Sequence, residues 1–476
     1  MTTSSLNRRG FLGRTALTGL GVALAGSVDA LVRPALAAAS APGQAIGYGP
    51  LVRDPKGILS LPVGFSYTVV ARSGETQMDG GAPVPSDPDA IGVFAGAAGS
   101  VLITNHEIGK DEPFAVPVVE GLTYDTGARG GTTTTVVGAN GQWQSQYVSV
   151  AGTVNNCAGG ITPWGTWLTC EETEARAGSK GFTLDHGYVF EVDPASQEAN
   201  MGKSPVALKF LGRYAHEAVA VDPQSGAIYL TEDAGEPNGL FYRWTPPAGF
   251  RGGPNALREL AQSTGGDTAG SLQAMTCFAD GAHVPDLSQA TAPGVRYTVQ
   301  WIDVPDRDAK STPVREQFTN DQVTRSRKLE GQWWGDGGTY FVASFARMSD
   351  GSTAEHDGQV WFYDPATETV TLKTLFGVNP DPSIDTGNYD GPDNITVSPY
   401  GGVILAEDGE GVSHLIGVTA EGEPFALARN DLNDSEFCGP AFSADGRVLF
   451  ANIQSPGLTL AITGPWRRPT NSMFGS

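Results

Sequence analysis

Six times along this 476-residue chain a polar lead gives way to a short strand, a turn and a second strand. Most of the second strands finish in polar or acidic residues. Ala90 to Glu107 ends Thr-Asn-His-Glu, and Asn156 to Glu172 ends Thr-Cys-Glu-Glu. His216 to Asp233 opens His-Glu, turns at Asp222-Pro-Gln-Ser-Gly226 and ends Thr-Glu-Asp. Glu330 to Phe345 turns at Asp336-Gly-Gly338, and Asp393 to Asp408 opens Asp-Asn and ends Ala-Glu-Asp. Glu436 to Gln454 turns at Ala444-Asp-Gly446 and ends Ala-Asn-Ile-Gln. A unit that cannot bury its own apolar face stacks on its neighbours, so the repetition predicts an all-β, six-bladed β-propeller. Each hairpin supplies the two inner strands of a blade and directs its polar ends at the central channel. A β-sandwich with coincidental Asp-Gly turns is the competing architecture. It offers no reason for the hairpins to end in the same kind of residue.

Helical periodicity is scarce, and 63 glycines with 32 prolines fit a chain of many tight turns. Segments such as Gly187 to Pro194 and Gly358 to Pro365 resemble outer strands closing in an Asp-Pro turn. The third and fourth hairpins are widely separated. An insertion over about 247–323, helical at Ala256 to Gln262, is therefore expected to cover the channel mouth. The propeller is assigned to residues 56–476, after a polar lead-in over 38–55.

Residues 1–37 hold Asn7-Arg8-Arg9-Gly10-Phe11-Leu12, a weakly apolar stretch and the small-residue site Ala35-Leu36-Ala37. That is the pattern of a twin-arginine export signal, which predicts action in the periplasm or outside the cell. The apolar run is shorter than the ~20 residues a spanning helix needs, so no stable membrane insertion is expected. Removing its four Arg and one Asp takes the net charge from −22 to about −25. So acidic a surface disfavours nucleic acid as a partner. A monomer acting on small molecules is expected.

In a propeller, acids at equivalent hairpin ends converge on one small volume. The candidates are Glu107, Glu171, Glu172, Glu217, Glu232, Asp233, Glu330, Asp393, Glu407, Asp408 and Glu436. They cannot all stay ionised together unless cations bind or their pKa values rise. Oxygen ligands suit calcium, and a thiolate among them suits a transition metal such as iron. Cys170, beside Glu171 and Glu172, is either such a ligand, a small buried hydrophobe or half of a disulfide with Cys157.

The segments Thr162 to Glu172, Thr104 to Glu107, Arg213 to Glu217, Pro392-Asp-Asn394 and Ile462 to Trp466 together resemble the PhoX-type alkaline phosphatase family. The resemblance implies a six-bladed propeller that hydrolyses phosphomonoesters with Fe(III) and Ca2+ in its channel. It implies Cys170 as the thiolate ligand to iron. Glu171 or Glu172, Glu217, Glu232, Glu330 and Glu407 follow as carboxylate ligands, with Asn105, Glu107, Asp393 and Asn394 around calcium. Where the family commonly has Arg-Pro-Glu, this chain has Lys328-Leu329-Glu330. Lys328 then offers a point charge to substrate phosphate in place of a bidentate fork, with Arg347 adding positive charge nearby. Two other readings fit a channel of this kind: a calcium-dependent lactonase or esterase, which needs no thiolate, and a non-catalytic propeller braced by ions.

Overall fold

The computed structural model describes residues 46–97, 99–109, 111–201 and 205–467. The export signal predicted over residues 1–37 lies outside the described residues. The chain is all-β and propeller-like, and all six predicted hairpins form. Their first strands are Pro88–Ala95, Asn156–Ile161, His216–Val221, Leu329–Gly335, Pro392–Val397 and Phe437–Phe442. Their second strands are Gly99–His106, Trp167–Glu171, Ile228–Glu232, Gly338–Ala343, Val403–Glu407 and Val448–Ile453.

Every first strand breaks register just after its first or second residue. The shifts fall between Pro88 and Ile91, Asn156 and Gly159, His216 and Val219, Leu329 and Gln332, Pro392 and Ile395, and Cys438 and Ala441. A bulge bends the strand and re-aims the side chains beside it. Here it sets six residues at matching positions, the second of each strand: Asp89, Cys157, Glu217, Glu330, Asp393 and Cys438.

The six first strands touch one another in chain order, and the sixth returns to the first. Apolar side chains fill the spaces between successive sheets rather than one central core. Ile91 and Leu102 pack against Ala441 and Phe450, Ile395 and Leu405 against Val342 and Val360, and Leu449 and Phe437 against Ile404 and Leu415. The axis is thereby left to the strand ends. The last sheet is completed from the other end of the chain, where Ser66–Arg72 pairs with Leu458–Thr463. Leu59–Pro62 adds to the edge strand Pro424–Asn430 of the preceding sheet.

The insertion is less of a lid than its length suggested. Ala256–Gln262 is helical as expected, but Ser271–Ala279 and Arg296–Asp303 are strands. The first pairs with Phe241–Thr245, and the second bridges it to Thr369–Phe376, so the third and fourth hairpins share a ten-stranded sheet. Alternating Tyr297, Val299 and Trp301, packed with apolar residues of neighbouring strands, suit this segment to a place inside a sheet, between Ser271–Ala279 and Thr369–Phe376. Its later part reaches the polar hairpin ends, where Arg315 meets Glu174 at 2.8 Å and Glu232 at 3.3 Å.

Candidate metal centre

Among the described residues, three groups of potential ligands, each with ligand atoms within 4.8 Å of one another, run along the inner strands. Cys157, Glu172 and Glu217 form the first; Glu217, Glu330 and Asp393 the second; Asp393, Asp408 and Glu436 the third. Glu217 and Asp393 are shared, so the three form one continuous arc across hairpins two to six. Close strand approach makes this possible. A Cβ on Gly331 would stand 2.7 Å from Asn394 Cα, and one on Gly439, at φ +59°, would stand 2.5 Å from Asp89 O. Beside the arc, Ala90, Ala158, Ala218, Gly331, Asn394 and Gly439 help to line a small, mainly apolar pocket.

The donor set fits metal. Burial, reinforced by Glu217, Glu172 and Asp89, pushes the Cys157 thiol well above its ordinary value. Burial and then Asp408 push Glu436 up likewise, and Cys438 is raised by burial together with Asp89 and Glu436. Thiols and acids so arranged lose their protons only when positive charge joins them. The all-oxygen third group suits a hard cation such as calcium, and the thiol in the first suits a softer one.

Several predicted site residues sit elsewhere. Cys170 is fully buried in an apolar cluster with Leu168, Val189, Leu208 and Val219. The sulfur in the arc belongs to Cys157, and all four cysteines are free thiols. At the three acid pairs that end second strands, period-two alternation sends the members to opposite sides. Glu172 and Asp408 join the arc, while Glu171, Glu232 and Glu407 turn back into the blades. Glu171 accepts from the amides of Val154, Gly187 and Tyr188 and from His186. Glu232 accepts from Tyr242 Oη at 2.6 Å and from Arg315, and Glu407 from the Asp390 and His414 amides and the His414 ring. Asn105 donates to the carbonyls of Cys157 and Ala158 and accepts from Trp167 and Thr169. Its amide has no capacity left for an ion and instead clamps the second bulge. Asn394 accepts from the Gly439 amide and donates to Asp393 Oδ1 at 3.1 Å, aiming that ligand.

Glu107 lies near the sixth hairpin, accepting from Gln454 Nε2 at 2.8 Å. Lys328, at φ +51°, bonds Asp233 through its ammonium, which also stands 3.9 Å from Glu330 Oε1. Arg327 turns away to Asp286 and the Asp350 carbonyl. Arg347 is held by Asp357 Oδ1 at 2.7 Å, its guanidinium over Phe345. Asp89, Cys157 and Cys438 escaped sequence reasoning, and Asp408 and Glu436 were candidates that the resemblance did not carry over. Aligning the six first strands from the residues at which they begin in the structure finds three of them, because Asp89, Cys157 and Cys438 then share a column with Glu217, Glu330 and Asp393.

Residues 46–146 and 139–457 match the profile of the family described as alkaline phosphatase PhoX. Among solved structures, the chain resembles Pseudomonas fluorescens PhoX in complex with vanadate, a transition-state analogue. The two are 19% identical with a TM-score of 0.64, over 88% of this chain and 98% of that one. The pyranose dehydrogenase PQQ domain of Coprinopsis cinerea gives 12% identity and a TM-score of 0.39, over 85% of this chain and 97% of that one. A gluconolactonase of Xanthomonas campestris gives 13% identity and a TM-score of 0.31, over 80% and 97%. No curated protein matches the chain. With the family profile spanning nearly all of the described residues, the chain belongs to the PhoX alkaline phosphatase family.

Proposed function

We propose that this alkaline phosphatase holds a mixed set of metal ions along the arc from Cys157 to Glu436 and hydrolyses phosphomonoesters there, at the centre of a six-bladed propeller. The observation that carries this is the run of three ligand groups sharing Glu217 and Asp393, the first of which includes the thiol of Cys157. Cys157, Glu172 and Glu217 would hold iron. The oxygen groups Glu217–Glu330–Asp393 and Asp393–Asp408–Glu436 would hold calcium. Bound there, such ions supply Lewis-acid charge to the phosphoryl oxygens.

The chain's own residues bind and orient. Lys328, a quarter exposed, presents its ammonium on the side where Asp233 and Glu330 meet and offers one charge to an entering phosphate. Arg347 is fixed by Asp357, which lets it keep a constant position as a second cation. A thiol in the arc distinguishes this reading from that of a calcium-only lactonase. The twin-arginine pattern of residues 1–37 supports action outside the cytoplasm. Elemental analysis of the exported protein, with phosphomonoester hydrolysis measured before and after calcium chelation, tests the proposal. Iron and calcium together with chelator-sensitive activity are expected. Full activity without iron, untouched by the chelator, overturns it.

A further inference from the structure

We infer that Glu171 and Glu407 are positioning residues, each tied to a buried histidine, which hold the neighbouring Glu172 and Asp408 in place for metal. The inference rests on the metal reading of the arc.

Behind the second hairpin, Glu171 Oε1 accepts from His186 Nδ1 at 2.6 Å, and the other ring nitrogen stands 3.3 Å from Asp125 Oδ2. None of these three side chains is exposed. Asp125 in turn accepts from the amides of Gly127, Thr183 and Leu184, so two loops are anchored to one imidazole. Behind the fifth hairpin the order recurs. Glu407 Oε2 accepts from His414 Nδ1 at 2.7 Å, and His414 Nε2 stands 3.7 Å from Asp385 Oδ1. Arg429 Nη1 holds Asp385 at 2.9 Å. At the third hairpin Arg315 takes the histidine's place between Glu232 and Glu174, and the residue after Glu232 is Asp233.

The same sequence of groups therefore stands behind two arc acids: glutamate, histidine, aspartate. Glu171 takes four donors and Glu407 three, which leaves little lone-pair capacity for an ion. Each shares a peptide unit with the acid that follows, so fixing its side chain fixes the direction in which the next one leaves the strand. Partners of this kind orient first ligands in metal sites, and losing one typically costs 10–100-fold in metal affinity. The two histidines also serve different groups. His186 stands behind Glu172 in the thiol group, and His414 behind Asp408 in the all-oxygen group.

Chelator-treated full-length protein is titrated with calcium alone, and iron is counted separately. His414→Ala is expected to raise the calcium Kd about 10–100-fold without changing the number of ions bound at saturation or the iron content. His414→Asn keeps a donor where Nδ1 stood and should recover most of the affinity. His186→Ala should lower retained iron while leaving the calcium Kd of the third group in place. Glu407→Gln should keep full stoichiometry. Loss of one calcium in Glu407→Gln would make that residue a ligand and overturn the inference. So would an unchanged calcium Kd in a His414→Ala protein whose only change is a lower melting temperature. Parent protein that binds no calcium would overturn the metal reading itself, before any variant is compared.

Discussion

Gly331→Ala tests the arc most directly, because it adds one methyl group where two inner strands almost touch. The new Cβ would lie 2.7 Å from Asn394 Cα and 2.8 Å from Asp393 O, both backbone atoms that cannot swing away. Ordinary carbon–carbon contact begins near 3.5 Å, so the strands must part by about 0.8 Å. Overpacking of this kind costs about 1–3 kcal/mol. At an unfolding entropy of roughly 1 kcal/mol/K for a chain of this length, calorimetry should show the melting point fall by only about 1–3 °C. The site should suffer far more. Gly331 follows Glu330, and the strand it would push carries Asp393, so the parting falls between two ligands of one group. Metal–ligand distances tolerate about 0.2 Å, and a shift of several times that should weaken calcium binding at least tenfold. Gly377→Ala is the control, since nothing lies within 4 Å of its added Cβ. The variant should keep parental calcium affinity and rate. Parental calcium affinity and phosphatase rate in Gly331→Ala would refute the close-packed arc.

Cys157→Ser should strip iron and most activity, whereas Cys170→Ser should keep iron and lose stability, as elemental analysis and thermal melting would show; iron loss from Cys170→Ser alone would reverse the assignment. Lys328→Met should raise KM for a phosphomonoester several-fold with a smaller change in kcat, and Lys328→Arg should lower KM again. Burial opposes the charged form of His414, yet its bonds to Asp385 and Glu407 outweigh that and push it up to about 9. Its folded pKa thus lies above the unfolded value of 6.5, so its stabilising contribution is full below about pH 6.5 and lost as pH rises through about 9. Melting temperatures of the parent and His414→Asn should converge above that pH, and a gap that widens there would contradict the assignment. Calcium chelation should lower the melting point as well as the rate, because acids of the arc would then face one another without cations.

The architecture was legible because turns and strand-end acids recur in sequence, and a ring is the arrangement that brings such ends together. The candidate site was legible only in part. Glu217, Glu330, Asp393 and Glu172 were named from the sequence and lie in the arc, but at Glu171-Glu172, Glu232-Asp233 and Glu407-Asp408 composition cannot say which member faces inward. That depends on the phase of the strand, and a bulge near the start of the paired strand adds an extra residue to the count. Cys170 lies beside two glutamates in sequence, yet it packs with Leu168 and Val189 in the apolar core, and it is Glu172, just past the strand's end, that joins the arc. Cys157 is one residue into a bulged strand, where only comparison with the other five hairpins marks it. Asp89, inside Ser86-Asp-Pro-Asp, reads as part of a turn until the strand is seen to begin at Pro88.

The pairing of Ser66–Arg72 with Leu458–Thr463 means that neither end of the propeller can finish the circle without the other. Glu436 lies in the sixth hairpin, and its partners Asp393 and Asp408 lie in the fifth. During synthesis the thiol group is complete once Glu217 has emerged, while the last oxygen group waits for almost the whole chain. The order in which ligands become available is therefore written into their positions, and tight retention of the last ion should report that the circle has closed.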